Sequence, residues 1–296
     1  MTAFTRSNSG LSNQHLFHGS DLIVFTEGGR KALSYDAVLQ GEANYISPDI
    51  KFWDGLLKAC NFNVDYSIRA IGSKSTLKIL CEKIAAGEIR NIVVAMDRDM
   101  DYSDEDIYLS PYILYTKGYS WENDAFKKSL TLEQIETMVL SVALPPEARS
   151  EIEQAYNKFK RFGRHILKFE FGFRSQGIRF ISDVRGDRFY NSKKSPNIRI
   201  EQVYDILKEK KEMVGKGVKF SRLERDICPM EGVYGKLIMA QSLSAISYIC
   251  RKYSSINSVP TDMIVAAMID RFLNYMRNNP DQYYSAAVSG LLSELD

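Results

Sequence analysis

Histidine and cysteine are scarce in this chain, three of the one and four of the other. Cys60, Cys81, Cys228 and Cys250 show no CxxC spacing and no companion histidine cluster, which excludes a zinc knot and a disulfide frame and leaves reduced core residues. His15, His18 and His165 are too few and too scattered for a histidine metal site or a Ser-His-Asp relay, so any metal must be held by carboxylates. Long apolar runs are missing too. The most apolar stretch, Leu237 to Cys250, is interrupted by Gln241, Ser242, Ser244 and Ser247 and is too short to cross a bilayer. The first twenty residues lack the apolar core of a signal peptide, and the expectation is a cytoplasmic protein with no membrane contact. There is no internal repeat, no low-complexity tract and no ATPase motif, so an ATP-driven step would need a partner.

What is present is ordinary globular material: 296 residues, 45% hydrophobic, 11% aromatic and 26% charged. That composition excludes disorder, coiled coil and collagen, and the length suits one large core or two unequal domains. The net charge of +2 hides a polarity along the chain. Residues 1–145 carry 14 Lys and Arg against 19 Asp and Glu, whereas 146–296 carry 25 against 18. Residues 158–225 alone hold 19 basic and 8 acidic residues, interleaved with Phe159, Phe162, Phe169, Phe173, Phe180, Phe189 and Tyr204 among other rings. Such a segment is the footprint of a polyanion surface; equally, its charges can solvate helix faces while its rings fill the core.

The N-terminal part alternates strands and helices. Asp21 to Thr26 is a short apolar run stopped by Glu27-Gly28-Gly29; Val64 to Ala70 alternates; Asn91 to Met96 is continuously apolar, as a central parallel strand is; Pro111 to Thr116 makes a fourth. Helices are expected from Asp49, with Ile50, Trp53, Leu57 and Cys60 on one stripe, and from Ser73, a plausible N-cap ahead of Leu77, Leu80, Cys81 and Ile84. The fold class is α/β: a parallel sheet with flanking helices over 1–130, followed by a mostly helical domain over 131–296, the boundary falling near 130 to 145. In that second part Thr131-Leu-Glu-Gln134 reads as a capping-box start, a helix runs from Glu147 to Arg161, and the spacing of Phe and Ile from Lys168 to Tyr190 suggests strand or hairpin. Helices follow over Asn197 to Gly215, Gly235 to Cys250, Asp262 to Met276 and Asp281 to Leu292, with Pro260 and Pro280 at the breaks.

Acids collect where these strands end: Glu27 after the first, Asp97 and Asp99 after the third, Glu122 and Asp124 beyond the fourth. In open α/β sheets ligands gather at the carboxyl ends of strands. Residues i and i+2 of an extended chain face one side, so Asp97 and Asp99 could share an ion, and hard oxygen ligands suit Mg²⁺ or Mn²⁺. A polar loop after a buried strand would look the same.

The strand-Glu27-Gly28 and strand-Asp97-Arg98-Asp99 pair resembles the TOPRIM fold of topoisomerases, primases and OLD-family nucleases, over about Asp21 to Phe126. The resemblance implies that Glu27, Asp97 and Asp99 bind a divalent metal used in phosphoryl transfer. Lys31 stands where OLD-type nucleases often place an acid and resembles the topoisomerase variant. Tyr119-Ser-Trp-Glu122-Asn123, with a charged helical part after it, is similar more narrowly to the TOPRIM-like effectors of the PARIS anti-phage systems. That likeness implies a toxin-like ribonuclease acting on tRNA, restrained by an ABC-type ATPase partner, and a homodimer when free. In these terms the metal would polarise the scissile phosphate, Glu27 would act as general base or ligand, and Glu122 would hold a second ion or its water. Asp101 and Asp124 are weaker candidates. Lys31 and Lys74 could neutralise phosphate charge, and Arg174, Arg179, Arg185, Arg188, Lys193 and Lys194 are the candidate RNA contacts. Two other readings stand beside this one: a haloacid-dehalogenase-like phosphatase, in which the first Asp of Asp-x-Asp is a nucleophile, and a non-catalytic binding module.

Overall fold

Four short apolar runs, Leu22–Thr26 (β1), Tyr66–Ala70 (β2), Ile92–Met96 (β3) and Ile113–Tyr115 (β4), form one parallel sheet in the order β2-β1-β3-β4. This is a computed structural model, which describes residues 8–100, 107–139, 143–181, 186–214, 220 and 227–295. Val24 pairs with Ile68 on one side and Val93 on the other, and Ala95 with Leu114. Every residue of β1 and β3 is buried, the condition of a parallel strand covered on both faces. Two compact units result, Met1–Lys117 with Phe272–Asp296, and Gly118–Arg271.

In the sheet unit, helices α1 (Asn8–Ser12), α2 (Tyr35–Leu39), α3 (Pro48–Ala59) and α4 (Lys74–Ala85) flank the strands. Ile23, Phe25, Ile92, Val94 and Met96 share a core with Leu77, Leu80, Cys81 and Ile84 of α4. α3 packs on β1 and β2; its Phe52 stacks on Phe272 with ring centres 5.4 Å apart, and Trp53 meets Tyr284 edge-on at 6.4 Å. Both helices start on serine caps. Ser47 Oγ accepts from the Ile50 N–H at 3.1 Å and Ser73 Oγ from that of Thr76 at 3.3 Å.

The helical unit holds α5 (Trp121–Ala125), α6 (Lys128–Val139), α7 (Pro146–Arg174), α8 (Ile200–Val214), α9 (Pro229–Gly232), α10 (Gly235–Tyr253) and the first part of α11 (Thr261–Asn278). The last helix, α12 (Gln282–Ser293), returns to the sheet unit. The sequence puts a single boundary near 130 to 145, whereas the units divide at 117/118 and again at 271/272. Among the described residues no helix is long and apolar enough to cross a membrane.

Two sequence expectations give way here. Thr131 is not a cap, because α6 begins at Lys128; its hydroxyl lies in the core, 2.8 Å from Tyr156 Oη and 3.1 Å from Ser242 Oγ. The strand or hairpin expected from Lys168 is the end of α7, which runs unbroken to Arg174. Its buried stripe of Ile152, Tyr156, Phe159, Ile166, Leu167 and Phe173 keeps helical spacing past Gly163 and Gly172. Beyond it, the described residues up to Tyr190 contain a 3₁₀ turn, Asp187–Phe189, and no strand.

Candidate active site

Strand order places the chemistry. The chain leaves β1 for β2 on one side and crosses back to β3 on the other, so the carboxyl ends of β1 and β3 open the crevice of a topological switch point. Glu27 follows β1 and Asp97 follows β3, and the Asp97 N–H donates to Glu27 Oε1 at 3.3 Å, joining motifs 70 residues apart. Asp99 does not continue the extended chain. Its φ of 55° lies in the left-handed region, where a non-glycine residue costs about 1 kcal/mol. The Arg98 N–H donates to Thr116 Oγ1 at 3.0 Å, and the turn that follows carries Asp99 out of register with Asp97, so the two acids do not share a strand face. Asp99 pairs instead with Lys74, the first residue of α4.

A fourth carboxylate joins this group, one that the sequence pattern does not single out. Gly28 has φ 82°, and a Cβ there would run into the Asp49 carboxylate. Asp49 sits in the first turn of α3, a place so usual for an acid that it carries no functional signal by itself. The crowding shows in Glu27. Burial, then the charges of Asp99 and Asp49, push its carboxyl from 4.5 up to about 8, and Lys74 and the Asp97 N–H offset only part of this. At neutral pH Glu27 therefore carries a proton.

All four donors are hard carboxylate oxygens, the type that suits Mg²⁺ or Mn²⁺, and burial with the charges of Asp99 and Asp49 disfavours a bare carboxylate at Glu27. As placed, no three His, Cys, Asp or Glu side chains among the described residues converge tightly enough to hold an ion. Lys74 is the cation that Asp99 faces.

Other expected site residues go elsewhere. Lys31 reaches outward to Glu42, 2.7 Å away, with its side chain 71% exposed. Glu122 belongs to the helical unit, 2% exposed, where it accepts from Ser120 Oγ at 2.5 Å and pairs with Lys236. Gly235 makes room for that pair: a Cβ there would collide with Ser120 Oγ. Asp124, also buried, pairs with Lys127 at 3.1 Å. Both acids are paired inside the helical unit.

Among the candidate RNA contacts, Arg174 is engaged inside its own unit, with Glu170 at 2.6 Å and Tyr119 Oη at 3.3 Å. Glu170 in turn accepts from the Phe180 and Ile181 N–H groups, which pins the chain after α7. Arg179, Arg188, Lys193 and Lys194 are exposed, and Arg185 and Asp101 lie outside the described residues. Lys194 lines a pocket of about 340 Å³ with Asn191, Ser195, Asn197, Arg199 and Glu201. Half of the rings of the basic segment are core: Phe159, Phe173, Phe180 and Phe189 are fully buried and Phe162 nearly so, with Phe173 stacked on Phe180 at 5.6 Å between centres. Phe169, Phe171, Tyr190 and Phe220 are half-buried, and Tyr204 is 49% exposed. Stacking of bases on the fully buried phenylalanines is thereby excluded, because their faces are already covered.

Compared with known families and with curated proteins, the chain matches none.

Proposed function

We propose that the chain is a divalent-cation-dependent nuclease of TOPRIM type whose reacting groups lie at the carboxyl ends of β1 and β3. The observation that carries this reading is the meeting of Glu27 and Asp97 at the switch point, with the Glu27 carboxyl pushed up by burial and then by the charges of Asp99 and Asp49. Glu27, Asp97 and Asp99 would hold Mg²⁺ or Mn²⁺, and the ion, when bound, supplies polarisation of the scissile phosphate and charge for the leaving oxygen. Lys74, which faces Asp99, is placed to exchange that carboxylate for a phosphate oxygen. Glu27 would complete the cation's shell or, once the cation has displaced its proton, act as general base toward the attacking water. The helical unit brings the exposed cations Arg179, Arg188, Lys193 and Lys194, which suit a polyanion.

The finer parts of the reading draw on the family likeness: an RNA substrate, tRNA in particular, an ABC-type ATPase that restrains the enzyme, a dimer of the free form, and a cytoplasmic role as a toxin in anti-phage defence. With Phe159, Phe173, Phe180 and Phe189 fully buried, the grip on RNA falls to backbone neutralisation more than to stacking. The test incubates the purified chain with tRNA, duplex DNA and a phosphomonoester, each with Mg²⁺ and with EDTA. Cleavage of tRNA is expected in Mg²⁺ alone, and Glu27→Gln is expected to lose about a hundredfold or more with no fall in its melting temperature. Turnover of the monoester instead would favour the phosphatase, and metal-independent binding without turnover the non-catalytic module.

A further inference from the structure

We infer that Arg98 is a nucleic-acid phosphate contact of the sheet-end crevice and that Tyr283, on the C-terminal helix, is its positioning residue; this rests on the nuclease reading above. Arg98 stands between Asp97 and Asp99, yet among the described residues it pairs with neither. Its guanidinium lies 5.5 Å from the centre of the Tyr283 ring, and Nη2 donates to Tyr283 Oη at 3.3 Å. Nε is buried and, among the described residues, has no hydrogen-bond acceptor. A guanidinium has five N–H donors in a fork that matches two oxygens of one phosphate, and among the described residues only Nη2 of this fork is engaged.

The tyrosine is held in turn. Its Oη donates to the Tyr115 carbonyl at 3.2 Å, at the end of β4. Asp281, the N-cap of α12, accepts from the Tyr283 N–H at 2.9 Å and pairs with Lys117 at 2.7 Å. Tyr284 Oη accepts from the Lys117 N–H at 3.0 Å, and Tyr112 Oη donates to the Glu294 carbonyl at 3.2 Å. α12 is thus fastened at its start to the carboxyl end of β4 and just past its end to Tyr112, the residue before β4, and a residue 185 positions along the chain sets the direction of the arginine. An arginine left to itself in this loop would fold onto the flanking acids; stacked on Tyr283 it keeps its donors for a ligand. The ligand class is a backbone phosphate, because the neighbouring acids repel a second anion unless a cation or this guanidinium offsets them.

The test measures binding of a short fluorescent single-stranded RNA to the full chain at fixed Mg²⁺ over a range of KCl, in the Glu27→Gln background so that no strand is cut. Adding Arg98→Met is expected to weaken binding about tenfold. It should also flatten the slope of log affinity against log salt by about 0.7, the signature of one phosphate fewer neutralised on a single strand. Adding Tyr283→Phe, which keeps the ring and removes the hydroxyl, is expected to weaken binding about threefold with the slope retained, since the charge remains. An unchanged slope in the Arg98→Met protein makes the arginine a mere anchor for α12 and overturns the inference, whatever happens to the melting temperature. Full affinity in the Tyr283→Phe protein removes the positioning role. Cleavage by the unmutated chain is read separately: RNA left whole alongside a flattened slope would sink the nuclease reading and leave Arg98 as a phosphate contact.

Discussion

The two units treat their acids in opposite ways. In the helical unit the buried carboxylates among the described residues each meet a cation of their own, Glu122 with Lys236, Asp124 with Lys127 and Glu170 with Arg174. At the sheet end Glu27 meets other carboxylates, and burial together with the charges of Asp99 and Asp49 pushes its carboxyl up to about 8. Internal pairing is what a structural acid does, because burying a lone charge is costly. An acid cluster left short of positive charge instead suits a ligand that brings it. The contrast also sorts residues that look alike in sequence: Glu27 and Glu122 both follow a strand, and only the first faces its own kind.

The sharpest way to break this contrast is to remove one acid from each unit and compare stability. Glu122→Gln should cost about 3 kcal/mol, since it removes the charge facing Lys236 and the acceptor of Ser120. Glu27→Gln should cost nothing at pH 7 and raise stability instead, because it removes a carboxyl that ionises in the unfolded chain but is held protonated in the folded one. Urea melts of the two variants decide it, and equal losses would erase the distinction.

Next in size is the dependence on pH. Glu27 holds its proton more tightly folded, near 8, than unfolded, at 4.5, so the stability it lends is present in full below about 4.5 and is lost as pH climbs through 8. Glu27→Gln should flatten that alkaline decline in the metal-free protein. A cation must displace the same proton, so apparent Mg²⁺ affinity should rise about tenfold per pH unit and level off above about 8. Calorimetry in buffers of different ionisation heat reads the proton released; an affinity that ignores pH would remove the carboxyl from the site.

A smaller effect is expected in the helical unit. Replacing Lys193 and Lys194 by Glu should weaken tRNA binding and lower the salt slope by about 0.7 to 0.9 for each phosphate no longer neutralised, with Mg²⁺ binding unchanged. Wild-type affinity and slope in filter binding would make both ordinary surface charges. The least effect belongs to Lys31→Ala. Its exposed pair with Glu42 is worth at most about 1 kcal/mol, and cleavage should be untouched. A large loss of activity would show that this lysine leaves Glu42 to work at the crevice.

Much of the sheet unit is legible along the chain because its signals are local. The apolar runs that become β1 and β3, the serine before α4 and the acid after each central strand all sit where a sequence pattern puts them. α7 is harder to read. Its phenylalanines recur at helical spacing, but Gly172 reads as a break, and packing accounts for the other glycine within it: a Cβ at Gly163 would press on Pro229 of α9. The same ambiguity hides the fate of the rings, since aromatic residues among lysines look alike whether they line a groove or fill a core.

By itself the sequence determined the α/β character of the first part, the helical character of the second, the clustering of basic residues in 158–225 and the acids at the ends of β1 and β3, because each depends on neighbours within a few residues. Tertiary structure alone decided the rest. Strand order brought Glu27 to Asp97, Gly28 let Asp49 approach, α12 came back to hold Arg98, and Glu122 and Arg174 were drawn into pairs inside the helical unit. Most of those meetings join residues far apart along the chain, and the burial and charge balance that set the state of an acid exist only once the chain has closed on itself.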